Sequence, residues 1–404
     1  MQEFDSLALK LQPHYSKFDV ANRLLFTGHS HQAWPDAAFD GIQEYMGMVS
    51  EQVDKKWGFG FEKTEIMREY LKDFYDDPTG RYCREQNTHV LITSWLSALD
   101  LKNKPKIITT TGEFHSMYRQ LRQLEDEGLE IVYLPHRDDD QLYESISNEL
   151  DDRTSAIMLS RIYYETAEIN TRLADIAELA KSAGVPIMVD DYHGTNVVPI
   201  SFRREDLGHI YLLVGGYKYL QWGEANCFLR YPEGCKLRPV ITGWFSAFEQ
   251  LDHPRDSEPM KFDDGDQKFA TATYDPISQF RAAAVTQFFQ KMGLTPEVLK
   301  KQYHSQLQYL RKLFDERNDS GSGITHANSR PVEESGGFLA LRSEHARLLR
   351  AELLKDGIFT DARNDIIRIG PGPYTTSGQC MAVIDALFEK LEQIRWQVVQ
   401  GSKK

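Results

Sequence analysis

Between about residues 84 and 232, short apolar and β-branched runs alternate with segments whose apolar positions recur every three or four residues. That alternation predicts strands joined by crossover helices in a mostly parallel sheet. The strands are expected at 106–110, 130–134, 155–159, 185–189, 210–214 and 225–230, with helices at 89–98, 117–127, 142–150 and 173–183. Gly184 stands where a helix ending at 183 needs a residue that tolerates a left-handed backbone. A charged, proline-containing stretch, 252–268, reads as a loop and precedes a long helix at 276–292. From about Leu294 the pattern is helix, strand (337–341), helix (344–356), strand (366–369) and helix (377–398), interrupted by a polar turn at 318–323. The expected organisation is an α/β fold with an N-terminal segment (1–60), a large domain (61–290) and a smaller α+β domain (291–404).

Composition narrows the class of protein. A chain of 404 residues can bury a large core, and its net charge of -13, with no run of five basic residues, argues against a nucleic-acid surface. The expected partner is a small molecule. Four cysteines, Cys83, Cys227, Cys235 and Cys380, have neither C-x-x-C spacing nor a disulfide framework, which suits a reducing cytoplasm. No signal-peptide core opens the chain and no stretch approaches 18 apolar residues, so a soluble, cytoplasmic protein away from membranes is expected.

Two strand ends carry the candidate chemistry. The run 185–189 delivers Asp190-Asp191-Tyr192-His193, and the next strand runs through Gly215-Gly216 into Tyr217-Lys218-Tyr219. An acid on one strand and a lysine on the next is the arrangement pyridoxal phosphate requires, since the cofactor's aldehyde needs an amine and its ring nitrogen a carboxylate. Asp190 takes the ligand position at the end of a buried strand, and Asp191 the blander role of capping the turn. His193, taken alone, reads as a hydrogen-bonded core histidine rather than a ligand. Burial beside Tyr217 and Tyr219 should make Lys218 a neutral nucleophile; the Tyr217 phenol can reach a phosphate, and Tyr219 packs.

A phosphate is best received where a loop enters a helix, and Gln86-Asn87-Thr88 precedes one, although Thr88 could equally be a plain N-cap. Phe114, in Gly112-Glu113-Phe114-His115-Ser116, is placed to stack on a flat ring or to join the core. Arg368, inside the apolar run Ile366-Ile367-Arg368-Ile369, calls for a bidentate anion such as an α-carboxylate, or for a structural ion pair. No G-x-G-x-x-G follows a strand, which disfavours a nicotinamide enzyme. A non-catalytic binding scaffold is disfavoured by the retention of Lys218, Asp190 and Arg368 together. Persulfide-type desulfuration is disfavoured because Cys380 falls in a helix and Cys227 in a strand. No metal is expected.

These motifs resemble, in order, those of the kynureninases, within the class V aminotransferase group of fold-type I pyridoxal-phosphate enzymes. Gly28-His29-Ser30-His31-Gln32 resembles their Gly-Asn-Ser-Leu-Gly turn, Asp190-Asp191-Tyr192-His193 their Asp-Leu-Ala-His, and Gly216-Tyr217-Lys218-Tyr219-Leu220 their Ser-Tyr-Lys-Tyr-Leu. Gly243-Trp244-Phe245 matches their Gly-Trp-Phe, and Arg368 to Tyr374 resembles their Arg-Val-Ala-Pro-x-Pro-Leu-Tyr. The resemblance implies a mostly parallel, seven-stranded-type sheet, pyridoxal 5'-phosphate as cofactor, and a homodimer with shared active sites. It implies that Lys218 carries the cofactor, that Asp190 pairs its ring nitrogen and Phe114 stacks on it, and that Asn87, Thr88, Tyr217 and His193 lie near its phosphate. Trp244 would reach the neighbouring subunit's site, while Arg368, Ser30 and Asp275 would contact an amino-acid substrate. The implied reaction is hydrolytic Cβ–Cγ cleavage releasing alanine, with C–S lyase or aminotransferase chemistry as the alternative. The chain departs from the family at Gly216, His29 and Asp275, the last an acid suited to a ligand with a donor or cationic group.

Overall fold

A computed structural model describes residues 2–251, 260–319 and 321–401; residues 252–259 of the charged loop and Ser320 of the 318–323 turn lie outside the described residues. The chain opens with α1 (Asp5–Leu11), β1 (Leu24–Leu25), α2 (Ala37–Gln52) and α3 (Lys56–Tyr75). It continues through β2 (Arg81–Glu85), α4 (Thr88–Leu96), β3 (Lys106–Thr110), α5 (His115–Asp126), β4 (Glu130–Leu134) and α6 (Asp139–Glu149). Next come β5 (Thr154–Ser160), α7 (Leu173–Ala183), β6 (Ile187–Asp190), β7 (Tyr211–Gly215), β8 (Cys227–Tyr231) and α8 (Ile277–Met292). The remainder is α9 (Pro296–Arg317), β9 (Thr325–His326), β10 (Leu339–Arg342), α10 (Ala346–Lys355), β11 (Ile358–Phe359), β12 (Asp361–Arg363), β13 (Ile366–Ile369) and α11 (Ser377–Gly401).

The large sheet has seven strands in the order β2-β8-β7-β6-β5-β3-β4. All are mutually parallel except β8, which runs against both neighbours. Alternate residues feed two apolar clusters, Ile108, Ile157, Val189 and Leu212 on one face and Ile107, Met158, Met188 and Leu213 on the other. Both faces are covered, which is why these strands read as continuous apolar runs. Each such side chain contributes about 1.5–3 kcal/mol relative to exposure. A second, antiparallel sheet of four strands, β12-β13-β10-β9, has its own cluster around Leu341, Ile367 and Leu387. The N-terminal stretch joins that part of the molecule through the parallel pairing of β1 with β11.

Predicted and observed elements coincide at β3, β4, β13 and α7, and differ by a residue or two elsewhere in the sheet. Gly184 ends α7 at φ 65°. Strand β2 was not predicted, because Arg81, Arg84 and Glu85 give it a polar look. Their burial is compensated: Glu85 accepts from the amide and hydroxyl of Thr271, and Arg84 donates to the Ser278 hydroxyl at 2.8 Å.

In the chain order, β3 and β4 lie to one side of β5 and β6 and β7 to the other, so the connections diverge between β3 and β5. Ligands bind beyond the carboxyl ends of strands at such a point. Ser160 ends β5, Asp190 ends β6, Gly215 ends β7, and Phe114 follows β3.

Candidate active site

A cavity opens at those strand ends, lined among others by Thr88, Phe114, Asp190, His193, Tyr217 and Lys218. Lys218 is almost fully buried, 4% exposed, and its Nζ lies 2.7 Å from His193 Nε2. The same amine sits 5.4 Å from the centre of the Phe114 ring and 5.0 Å from that of Tyr192. Burial lowers the Lys218 amine to about 7, a fall that nearby Asp190 opposes and Arg368 reinforces. Burial raises Asp190 to about 6 even though its Oδ1 accepts the Tyr192 amide at 2.9 Å. Burial and the charge of Lys218 push His193 well below the usual histidine range, so its ring is neutral at pH 7; its Nδ1 has no partner among the described residues. Lys218 and Asp190 are thus both brought toward neutrality within one aromatic cavity.

Behind the wall lies Glu113, which the sequence reading passed over. Its carboxyl accepts from the Ser160 hydroxyl at 2.6 Å and the Thr110 hydroxyl at 2.5 Å, and burial raises it to about 7. It thereby fixes the turn carrying Phe114 to the end of β5, where Ser160 is paired in register with Asp190.

A family model described as the kynureninase C-terminal domain matches residues 299–387. Among curated proteins, the uncharacterized aminotransferase YcbU of Bacillus subtilis (strain 168) is 21% identical over 365 residues, covering 89% of this chain and 92% of its own. Among solved structures, a lysine mutant of the cystine C–S lyase C-DES, with glycine covalently linked to its PLP cofactor, superimposes with a TM-score of 0.77 at 18% identity. It covers 93% of this chain and 98% of its own. Cysteine desulfurase CsdA from Escherichia coli gives a TM-score of 0.77 at 15% identity, covering 96% and 98%. The fold is therefore the fold-type I scaffold, and the family match falls on the segment that carries Arg368. This chain is a pyridoxal-phosphate enzyme similar to the class V aminotransferases.

The cavity fits pyridoxal phosphate. A buried, readily deprotonated amine, a carboxylate at a strand end and an unpartnered histidine nitrogen together leave polar valences that a pyridine aldehyde can fill. The α4 terminus, with the Thr88 hydroxyl beside the Tyr192 phenol, offers donors to an anion.

The structure shows where the other expected residues lie. Asp191 does not cap a turn with its side chain: it is fully buried in an ion pair with Arg161, Nε to Oδ1 2.5 Å, and accepts from Tyr75, while Asp190 makes the turn contact. Asn87, not Thr88, is the N-cap of α4; its exposed side chain accepts the Val90 amide at 3.0 Å and does not line the cavity. Ser30 turns its hydroxyl onto the Thr27 carbonyl, and the residue of that turn that points inward is His29, fully buried 4.5 Å from the Phe338 ring. Asp275 is exposed and accepts the Ile277 amide at 3.0 Å, an aspartate before a proline-led helix start. Trp244 lies outside the cavity of its own chain, stacked on Phe245 at 4.3 Å with Nε1 donating to Thr273. Arg368 is buried beside the site and already paired, donating to the Asp361 carboxylate and the Tyr164 carbonyl; its Nε has no partner among the described residues. Burial favours a raised Asp361 carboxyl, but nearby His29 and Arg368 outweigh that and hold it low. Tyr219 packs as expected, edge-on to Tyr303 at 5.2 Å.

Proposed function

We propose that this enzyme cleaves the side chain of an α-amino acid by kynureninase-type hydrolysis at Cβ–Cγ, releasing alanine. The observation that carries the reading is the Lys218 amine, lowered to about 7 and 2.7 Å from a neutral His193 inside an aromatic cavity. When bound, pyridoxal phosphate supplies an aldehyde for the amine and a ring that accepts the electrons of the Cα–H bond. Asp190 would pair its ring nitrogen and Phe114 would stack on its ring. Lys218, its amine lowered to about 7, would take the α-proton and deliver a proton to Cβ, positioned by its contact with His193 Nε2. Water's oxygen ends on Cγ as a carboxyl group and its proton balances the alanine released. Arg368 receives the substrate carboxylate through Nε, held in orientation by Asp361. Phe114, Tyr164 and Tyr217 exclude bulk water. The kynureninase C-terminal match over the segment holding Arg368 supports this choice of reaction.

A second reading, C–S lyase action, is favoured by the fold likeness to a cystine C–S lyase together with the burial of all four cysteines. A persulfide relay needs an accessible thiol, and Cys380 is 0% exposed within α11. We also infer a homodimer, supported by the exposed, aromatic Trp244 surface that lies apart from the cavity of its own chain. The purified enzyme, incubated with L-kynurenine, 3-hydroxykynurenine and cysteine conjugates, should give alanine and an aromatic acid. Pyruvate from the conjugates would move the assignment to the lyase, and a keto acid alone to an aminotransferase.

A further inference from the structure

β7 ends in Gly215-Gly216, and neither position has room for a side chain. A Cβ at Gly215 would stand 1.7 Å from the Tyr192 ring, and one at Gly216 2.6 Å from the Asn226 carbonyl oxygen. The volume beside Gly215 is filled from elsewhere: Tyr192, arriving from the end of β6, lays its ring against that backbone. Its phenol meets the hydroxyl of Thr88, the first residue of α4, and lies 2.9 Å from Cys227 Sγ on β8. Tyr192 and Thr88 are both over nine-tenths buried, and both line the cavity that holds Lys218.

The proton inventory of this chain has a direction. Burial raises the Tyr192 phenol well above its ordinary value and raises the Cys227 thiol as well, so both keep their protons. The thiol can give its weak hydrogen bond to the phenol oxygen, which leaves the phenol hydrogen free to point toward Thr88 and the cavity. Donors gathered at the positive end of a nine-residue helix suit a dianion.

We propose that Tyr192 is a phosphate-binding residue of this enzyme, acting with Thr88 through the space kept open at Gly215. The inference rests on the assignment of the cavity to pyridoxal phosphate. It implies that the hydroxyl lost where Gly216 stands in place of serine is supplied from the neighbouring strand end.

The test compares wild-type and Tyr192→Phe apoenzymes, each titrated with pyridoxal phosphate and with pyridoxal, which lacks the phosphate. Binding is followed by quenching of intrinsic fluorescence and by the visible absorption band, and the bound phosphate by its ³¹P chemical shift. Loss of one charge-assisted hydrogen bond should weaken pyridoxal phosphate about tenfold, leave pyridoxal binding unchanged and move the ³¹P resonance. Equal weakening of both ligands would assign the phenol to packing and overturn the proposal, as would unaltered affinity for pyridoxal phosphate. Thr88→Val should show the same phosphate-selective loss, so the claim stays testable if the tyrosine variant folds poorly. Failure of the wild type to bind pyridoxal phosphate would overturn the cofactor assignment itself and this inference with it.

Discussion

Lys218 is suited to chemistry because its surroundings make its charge expensive. The native amine is lowered to about 7, whereas the same group in an unfolded chain titrates near 10.5. Between those values the unfolded chain holds a proton that the native apoprotein has released, so stability rises with pH across that window and the full penalty applies below about pH 7. Lys218→Met removes this titration. The variant apoprotein should therefore exceed wild type in urea stability by more at about pH 6 than at about pH 10. A difference independent of pH would mean that the amine is not held desolvated. At this scale the motif was legible in the sequence, because Asp190 and Lys218 sit at strand ends whose apolar runs mark them. The roles of adjacent residues were not. Asp190 and Asp191 are chemically identical in a linear reading, and only Arg161, thirty positions away, makes one of them a structural ion-pair partner. Glu113 and His29 escaped for the same reason: burial and partners distant in the chain define them.

The site is held by the ends of β5, β6 and β7 rather than by its loops alone. Arg161, next after β5, closes onto Asp191, next after β6, through Nε at 2.5 Å and Nη2 at 3.1 Å, and also donates to the Val198 carbonyl at 2.7 Å. This clamp sets the spacing of the two ends that present Ser160 and Asp190. Arg161→Met would leave Asp191 as an uncompensated buried charge, at a cost of about 3–5 kcal/mol. Urea denaturation should show that loss, and a change below about 1 kcal/mol would mean the pair is incidental. Periodicity revealed the parallel strands because both sheet faces are apolar. It missed β2, whose charged residues are satisfied only after the distant segment around Thr271 and Ser278 folds against them. The start of α4 was legible to within one residue: the loop was right and the cap is Asn87.

For the whole molecule, the three-part division into residues 1–60, 61–290 and 291–404 remains our proposal; within it the first segment meets the third through β1 and β11. Among the described residues no helix is long and apolar enough to cross a membrane. The proposed dimer would account for Trp244, 39% exposed, and for the neighbouring Val240, 81% exposed, on a surface left uncovered among the described residues. Sedimentation equilibrium should give twice the chain mass, and Trp244→Ala should weaken that association; a monomer at micromolar concentration would remove the shared-site proposal. Partner contributions were not legible in the sequence beyond the resemblance, since association depends on surfaces assembled from separate segments.

The central claim is that Lys218 carries pyridoxal phosphate in this cavity. The most direct measurement is the visible absorption spectrum of the wild-type and Lys218→Ala proteins after addition of the cofactor and removal of excess, with borohydride reduction and peptide mass spectrometry to locate the attachment. The account predicts a band in the wild type that persists through gel filtration, a pyridoxyl group on Lys218 after reduction, and neither in the variant. A wild-type protein with no band, or a label on another lysine, would contradict it.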